Sequence, residues 1–569
     1  MPVPVPVPVP VPAPIIDPCV THFVGRTHFP LTHEQIPTTG AAMNSNRQTR
    51  QAHRELTVGT VGLHIGRTQP DKIALYDGSR TLTYGQLEKC VDDLARSIKA
   101  AGVAKGEVVA VYLPNCIDYI VLVLAVARVG AIFSPLNPRF KEYEINKILI
   151  RAQPSLIFTT QERAGTVLAA SQIADDYGSR PRIISIDGTD NYTTFLASVD
   201  DAPHALSARG LPAVDDSDYF SLMFTSGTTG NPKGVLATHR ARMLWVVNAA
   251  IQYGLNEDDV YLGAMPQIHS AGLTFTLIHL YVGATVRLMD HFEPDTYLDI
   301  VEHEKVTSSL VVPTILGMLL EARERSTRTH DLSSLKRLVS CGSPLPLTTK
   351  RRVIEGISDQ LYDYYGSTES NSMSVLKPKD QLRKPNSVGQ PFTNVEIRIV
   401  SPDGRIMPTG EVGEVQCLNP STMDCYLGDD SATQAAFTGH WFHTGDVGRV
   451  DEDGFLYLIG REKDIIVSGG VNIYPGEVEQ VMLLHPAVSD CAVVGVDDAK
   501  WGQTVKAFVS LHEGRTLTLH EAHEHCKAYL ADYKKPRSLE ILDDLPKNAS
   551  GKTIKIALGR GPKSKDQRS

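Results

Sequence analysis

The chain has 569 residues, 42% of them apolar and 21% charged, and its 56 Lys+Arg against 65 Asp+Glu leave a net charge of −9. That length can bury a sizeable core divided over two or three domains. A mildly acidic chain with dispersed basic residues excludes a nucleic-acid scaffold, which would need a clustered cationic face. The longest apolar run, Ile120 to Ala127, is far too short for a membrane span and is followed by Arg128. Eight cysteines (19, 90, 116, 341, 417, 425, 491, 526) are scattered without a C-x-x-C pair, and no secretory apolar segment opens the chain. Free thiols, a reducing compartment and a soluble cytoplasmic protein are therefore expected.

Residues 1–50 begin with a Pro-Val repeat, Met1-Pro2-Val3-Pro4 through Pro14, which favours extended polyproline II and reads as a flexible leader. From Leu56 onward short apolar runs alternate with helix-patterned stretches. Val108 to Leu113 reads as a buried strand, Ile117 to Val129 as a helix and Tyr219 to Phe224 as a strand entering a glycine-rich loop, an alternation that predicts a helix-covered parallel sheet. Val395 to Ile399 alternates apolar with charged residues and Val412 to Leu418 is a rougher strand, so half-exposed sheet is expected there. After about 465 the pattern is compact αβ: Glu477 to His485 helical, Ala492 to Val496 and Ala507 to Val509 strands, Leu519 to Leu530 helical with an apolar stripe of Leu519, Ala522, Cys526 and Tyr529. That stripe leaves His520, His523 and Glu524 mainly on the wet face, and no metal-ligand spacing accompanies them.

The strongest motif is Phe224-Thr225-Ser226-Gly227-Thr228-Thr229-Gly230-Asn231-Pro232-Lys233-Gly234. Three glycines let backbone N–H groups approach an anion, four hydroxyls can donate to it, and Lys233 adds charge, which suits phosphate. Pro232 stands where a Walker loop needs its second glycine, so a P-loop NTPase is disfavoured. Any four-residue piece reads more readily as a Gly/Thr surface loop; the eleven residues together do not.

This string resembles the signature of the adenylate-forming enzymes, the acyl-CoA synthetases with their luciferase and peptide-synthetase relatives, and further matches run in order from Leu56 to Leu558. The resemblance implies an α/β fold: a leader (1–50), a large N-terminal α/β AMP-binding domain (51–463), a smaller α+β mobile C-terminal domain (464–561) joined by a hinge, and a tail (562–569). It implies ATP or AMP contacts from Thr225, Ser226, Gly227, Thr228, Thr229, Gly230 and Lys233, and from Gly342 and Ser343 in Ser340-Cys341-Gly342-Ser343-Pro344, where Cys341 reads as a packed thiol. In Asp363-Tyr364-Tyr365-Gly366-Ser367-Thr368-Glu369 it puts Tyr365 on the adenine, Asp363 near the adenine amino group, Thr368 and Glu369 on phosphate and Mg²⁺, and Tyr364, Gly366 and Ser367 among the further nucleotide contacts. A carboxylate beside a triphosphate needs a hard cation between them, which makes Glu369 the metal ligand.

Asp446 in Thr444-Gly445-Asp446 matches the ribose-binding carboxylate, Arg461 the ribose- and phosphate-contacting arginine and Asp464 the hinge. Gly469 and Gly470 match the loop along the pantetheine tunnel of CoA, a tight turn being the other reading of the pair. Lys552, in Pro546-Lys547-Asn548-Ala549-Ser550-Gly551-Lys552, matches the catalytic lysine, although Lys547 and Lys555 lie nearby. His269 and Gly342 fall at the acyl pocket, whose segments, Val312-Pro313-Thr314 among them, are mostly apolar, a satisfied core histidine being the alternative for His269. Cys425 and His440 stand where relatives commonly have Gly, which touches local loop geometry only.

The implied activity is that of an ATP-dependent acyl-CoA synthetase, an AMP-forming carboxylic acid–CoA ligase. A fatty or aryl acid becomes acyl-AMP and passes to CoA, with ATP, Mg²⁺ and CoA as cofactors and substrates. Two alternatives stay open: an adenylating enzyme loading an acyl carrier protein, and a non-catalytic nucleotide-binding regulator. No nucleic-acid partner and no membrane span are expected.

Overall fold

The buried strand read at Val108 to Leu113 forms over Val108–Tyr112, and in the computed structural model it lies inside a parallel array. Described are residues 56–172, 181–187, 192, 195–196, 211–225, 232–498, 500–547 and 553–559. The Pro-Val leader and the last residues fall outside them.

Among the described residues four sheets form. In the first, Arg182–Ser185, Leu156–Thr159, Val108–Tyr112, Ile132–Pro135 and Tyr219–Thr225 run parallel as expected, and Lys233–Thr238 and Cys425–Tyr426 then add antiparallel. The change of direction follows from chain length: only residues 226–232 separate Thr225 from Lys233, too few for the crossover that parallel pairing requires. The second sheet carries a parallel centre through Leu361–Ser367, Arg337–Ser340, Ser308–Val311, Val260–Gly263, Thr285–Leu288 and Ile73–Tyr76, with Asn371–Leu376 turned back antiparallel on Leu361–Ser367.

The helix read at Ile117 to Val129 forms over Ile117–Arg128, and every side chain from Tyr119 to Ala127 is buried. The longest apolar run is thus an interior helix, hydrophobic all round because it is covered all round. No described helix is long and apolar enough to cross a membrane. Tyr84–Ala100 begins at a capping box in which the Thr83 hydroxyl accepts from the Gln86 N–H and the Gln86 side chain accepts from the Thr83 N–H.

The third sheet is wholly antiparallel, built from Glu396–Val400, Gly413–Leu418, Trp441–Val450, Phe437–Thr438 and Leu456–Arg461. Its first strand is exposed at Glu396 and buried at Ile399 and Val400, the half-exposed sheet that alternation announces. The fourth joins Ile466–Ser468, Val471–Ile473, Val488–Asp498, Gly502–Leu511 and Ser538–Ile541 over a separate small core that includes Ile466, Val478, Met482, Val493, Val509 and Ala522.

Helix Pro475–Met482 starts two residues before the expected Glu477, because a proline at the first turn needs no N–H partner. Leu519–Lys527 ends short of the expected Leu530, so Tyr529 leaves the predicted apolar stripe and is 60% exposed, while Ala522 and Cys526 stay buried. His520 and Glu524 are exposed and His523 half-buried against the Pro536 carbonyl. All seven described cysteines are free.

Candidate active site

Thr225 and Lys233 are register partners at the mouth of the hairpin that carries the hydroxyl-rich loop. Ser226, Gly227, Thr228, Thr229 and Gly230 lie outside the described residues. The Lys233 ammonium stands 4.7 Å from the centre of the Tyr426 ring, and the Tyr426 hydroxyl donates to Glu369 Oε1 at 3.3 Å. The Glu369 carbonyl in turn accepts from the Met423 N–H at 2.7 Å. One aromatic ring therefore spaces the lysine of one motif from the carboxylate of the next.

Sequence reading did not single out Tyr426. The available signal was its neighbour Cys425, noted only as a departure from glycine. Cys425 is half-buried on the edge strand opposite Leu236 and has no left-handed backbone, so its Cβ is accommodated. His440 likewise sits exposed in a turn whose positive φ falls on Gly439.

Asp363, Tyr364 and Tyr365 follow one another along the strand Leu361–Ser367, so alternation sends Tyr364 to the opposite face. The Tyr364 ring is buried and stacks on Phe275 at 6.1 Å, on the other face of the strand from Tyr365. Tyr365 instead donates to Asp446 Oδ2 at 2.5 Å, and Arg461 Nε holds the other oxygen at 2.9 Å. Asp446 and Arg461 are cross-strand partners, and Asp446 also donates its N–H to the Thr444 hydroxyl. Burial would disfavour the Arg461 charge; Asp446, then Tyr365, Asp464 and Glu369, outweigh it and keep the guanidinium firmly protonated.

Ser367 bonds to the Ser370 hydroxyl (3.0 Å) and accepts from its N–H (3.0 Å), closing the turn that carries half-buried Thr368 and Glu369. Gly366 lies where a Cβ would come within 1.9 Å of the Asn371 carbonyl oxygen, so the returning strand can approach only a glycine there.

His269 caps the start of helix Ser270–Val282, and the next residue, Ser270, donates its hydroxyl to Asn371 Oδ1 at 3.4 Å. The segment that carries His269 is thereby tied to the strand that follows the Glu369 turn. His269 Nε2 is buried with no hydrogen-bond partner among the described residues. Burial, and then the charge of Arg139, push its imidazole down to about 4, which leaves a neutral ring. Gly342 takes φ +89°, and a Cβ there would lie 3.5 Å from Val312 Cγ1, so the segments that carry these two residues meet. Ser343 beside it is half-buried, whereas Cys341 is buried with its thiol pushed up to about 12 by that burial.

Asp464 ends a short 3-10 turn directly after Arg461. Gly469 and Gly470 form the two-residue turn between Ser468 and Val471, with φ of 59° and 81° that suit a type I′ hairpin. A Cβ on Gly469 would lie 2.7 Å from the Trp501 ring, whereas one on Gly470 would meet nothing within 4 Å. Lys552 lies outside the described residues. The two lysines that could be confused with it are engaged elsewhere, Lys547 with Asp490 at 2.8 Å and Lys555 with Glu479 at 2.7 Å.

The model of the AMP-binding enzyme family matches residues 64–427, and that of the AMP-binding enzyme C-terminal domain matches 477–552. The chain is 35% identical over 506 residues to a feruloyl-CoA synthase of Amycolatopsis sp, covering 88% of this chain and 98% of that one. It is 33% identical to a 2-succinylbenzoate–CoA ligase of Geobacillus sp. (strain WCH70), covering 86% and 94%. Among solved structures, the o-succinylbenzoate CoA synthetase of Bacillus subtilis in complex with its acyl-adenylate superposes with a TM-score of 0.77 at 30% identity, covering 90% of this chain and 98% of that chain. ATP-bound MatB from Rhodopseudomonas palustris gives a TM-score of 0.80 at 26% identity, covering 88% and 98%. These relatives favour neither a carrier-protein ligase nor a non-catalytic regulator. The chain belongs to the AMP-binding enzyme family and is an AMP-forming carboxylic acid–CoA ligase, taking ATP, CoA and a small-molecule acid.

Proposed function

We propose that the acid is an aromatic carboxylic acid, within the broader class of fatty and aryl acids that an apolar pocket admits. The observation that carries this reading is chemical: the relatives aligned over 86–88% of the chain are named for ferulate, 2-succinylbenzoate and, at 34% identity in Aromatoleum aromaticum, indoleacetate, all aromatic acids. The neutral His269, whose Nε2 has no hydrogen-bond partner among the described residues, and the approach of Val312 to Gly342 are compatible with it. A panel of acids assayed for AMP release, with and without CoA, tests it. Cinnamic-type and arylacetic acids are expected to give the highest kcat/KM; a response confined to oxalate or malonate would overturn the reading.

In the first half-reaction the loop from Thr225 to Lys233 cradles the phosphates, Tyr365 stacks on adenine, Asp363 faces its amino group, and Asp446 with Arg461 takes the ribose. Lys552 stands over the α-phosphate. In the second, the C-terminal domain (464–561) turns about Asp464 and brings the Gly469-Gly470 turn to the site for CoA, while closure keeps water from the mixed anhydride. Glu369 fits a divalent cation: its carboxylate takes one neutral hydrogen bond from Tyr426 and forms no ion pair among the described residues. Mg²⁺ held by Glu369 and Thr368 would supply charge neutralisation of the polyphosphate. Glu369→Gln is expected to raise the Mg²⁺ concentration for half-maximal adenylation at least about tenfold, the order lost when even an outer-shell partner is removed. An unchanged Mg²⁺ titration would remove Glu369 from that role.

A further inference from the structure

Lys350 is 1% exposed on helix Leu347–Gly356, and none of the chemistry above uses it. Its Nζ donates to the Pro385 carbonyl at 3.1 Å and lies 4.0 Å from Asp363 Oδ2. A buried ammonium is costly without a counter-charge, and Asp363 is its one ion-pair partner among the described residues. Asp363 is itself buried, yet its side chain keeps 12% of its surface open.

We propose that Lys350 is a positioning residue that keeps the Asp363 carboxylate ionised and aimed at the exocyclic amino group of the base, so that the pair selects adenine over 6-oxopurines. This rests on the reading that Asp363 faces the adenine amino group. An ionised carboxylate only accepts hydrogen bonds, which suits the N6 amino donor; a protonated one can donate, which suits the O6 of hypoxanthine or guanine. The protonation state of one side chain therefore sets which purine fits.

The other titratable groups facing Asp363 are the Tyr253 phenol, on helix His239–Tyr253, and the Cys341 thiol, beyond strand Arg337–Ser340. Burial holds the first well above its ordinary value and the second at about 12, so both are neutral from pH 5 to 9. The register partners of Asp363 on the flanking strands are Ser340 and Leu376, which do not titrate. Lys350 is thus the charge that opposes burial, and burial still pushes the Asp363 carboxyl up to about 6. The raised value means that the ionised form prevails above pH 6 and is lost as pH falls through it.

The test measures dissociation constants of Mg²⁺·ATP and Mg²⁺·ITP for the full chain by calorimetry from pH 5 to 9. In the wild type the preference for ATP should decline with a midpoint near pH 6; a ratio flat over the whole range overturns the proposal, even if no variant folds. Removing a cation at this range raises a carboxylate by roughly 1–3 units, so Lys350→Met should weaken ATP about tenfold at pH 7, tighten ITP relative to ATP, and recover by pH 9. A loss that is equal at every pH, with the ATP/ITP ratio unchanged, would leave Lys350 a packing residue. Asp363→Asn separates the two levels, because an amide neither titrates nor favours one purine. If it leaves the ATP/ITP ratio intact, the placement of Asp363 at the base fails, and the proposal with it. If it collapses the ratio while Lys350→Met does not shift the pH profile, only the role of Lys350 fails.

Discussion

Replacing Lys552 by alanine is expected to slow acyl-AMP formation roughly 10²–10³-fold, the cost of removing one preorganised charge from a developing oxyanion. When the carboxylate attacks the α-phosphate both partners are anionic, and the transition state gathers charge on oxygens that no hydroxyl of the Thr225–Lys233 loop can neutralise. The nearby lysines cannot substitute, since Lys547 and Lys555 are tied to Asp490 and Glu479. Transfer from supplied acyl-AMP to CoA should proceed at close to the wild-type rate, because the thiol attacks the acyl carbonyl carbon and AMP leaves, with no anion approaching the negatively charged α-phosphate. Single-turnover assays of the two half-reactions separate these effects. Equal loss in both would mean that the substitution damaged the C-terminal domain, not the charge at the α-phosphate.

Much of this architecture was legible because it is local. Strand ends that run into glycine-rich or hydroxyl-rich turns gave the motifs, and their order along the chain gave the family. Contacts between residues far apart in sequence were not legible. Tyr365 meets Asp446 81 positions away, and Tyr426 lies between Lys233 and Glu369 only because a two-residue edge strand is paired beside the loop hairpin. Lys350 reads as one more surface cation on a helix until its burial against Asp363 is seen. The burial of Tyr364 is a different case: strand alternation alone puts it opposite Asp363 and Tyr365, so the sequence held that information. The reverse turn at Lys233 was also available from loop length, since residues 226–232 cannot span a crossover.

Gly366→Ala should destabilise the protein by about 3–5 kcal/mol, in the range reserved for gross steric conflict. Glycine is required there for space alone, because its φ is not in the left-handed region. The methyl group would sit 1.9 Å from the Asn371 carbonyl oxygen and 2.8 Å from its carbon, both backbone atoms that no rotamer change can withdraw. To relieve the contact the hairpin of Leu361–Ser367 and Asn371–Leu376 must open at its irregular register step between Tyr365 and Gly366. Opening there displaces Tyr365 from Asp446 and the turn that carries Glu369. Gly470→Ala is the control: it meets nothing within 4 Å and pays only for its φ of 81°, about 1–2 kcal/mol. Thermal unfolding without nucleotide compares the two, so that a change in ligand affinity does not enter. A melting temperature for Gly366→Ala no lower than that of Gly470→Ala would show that the strand yields at little cost. The close approach of the two strands would then not be what requires glycine between Tyr365 and Ser367.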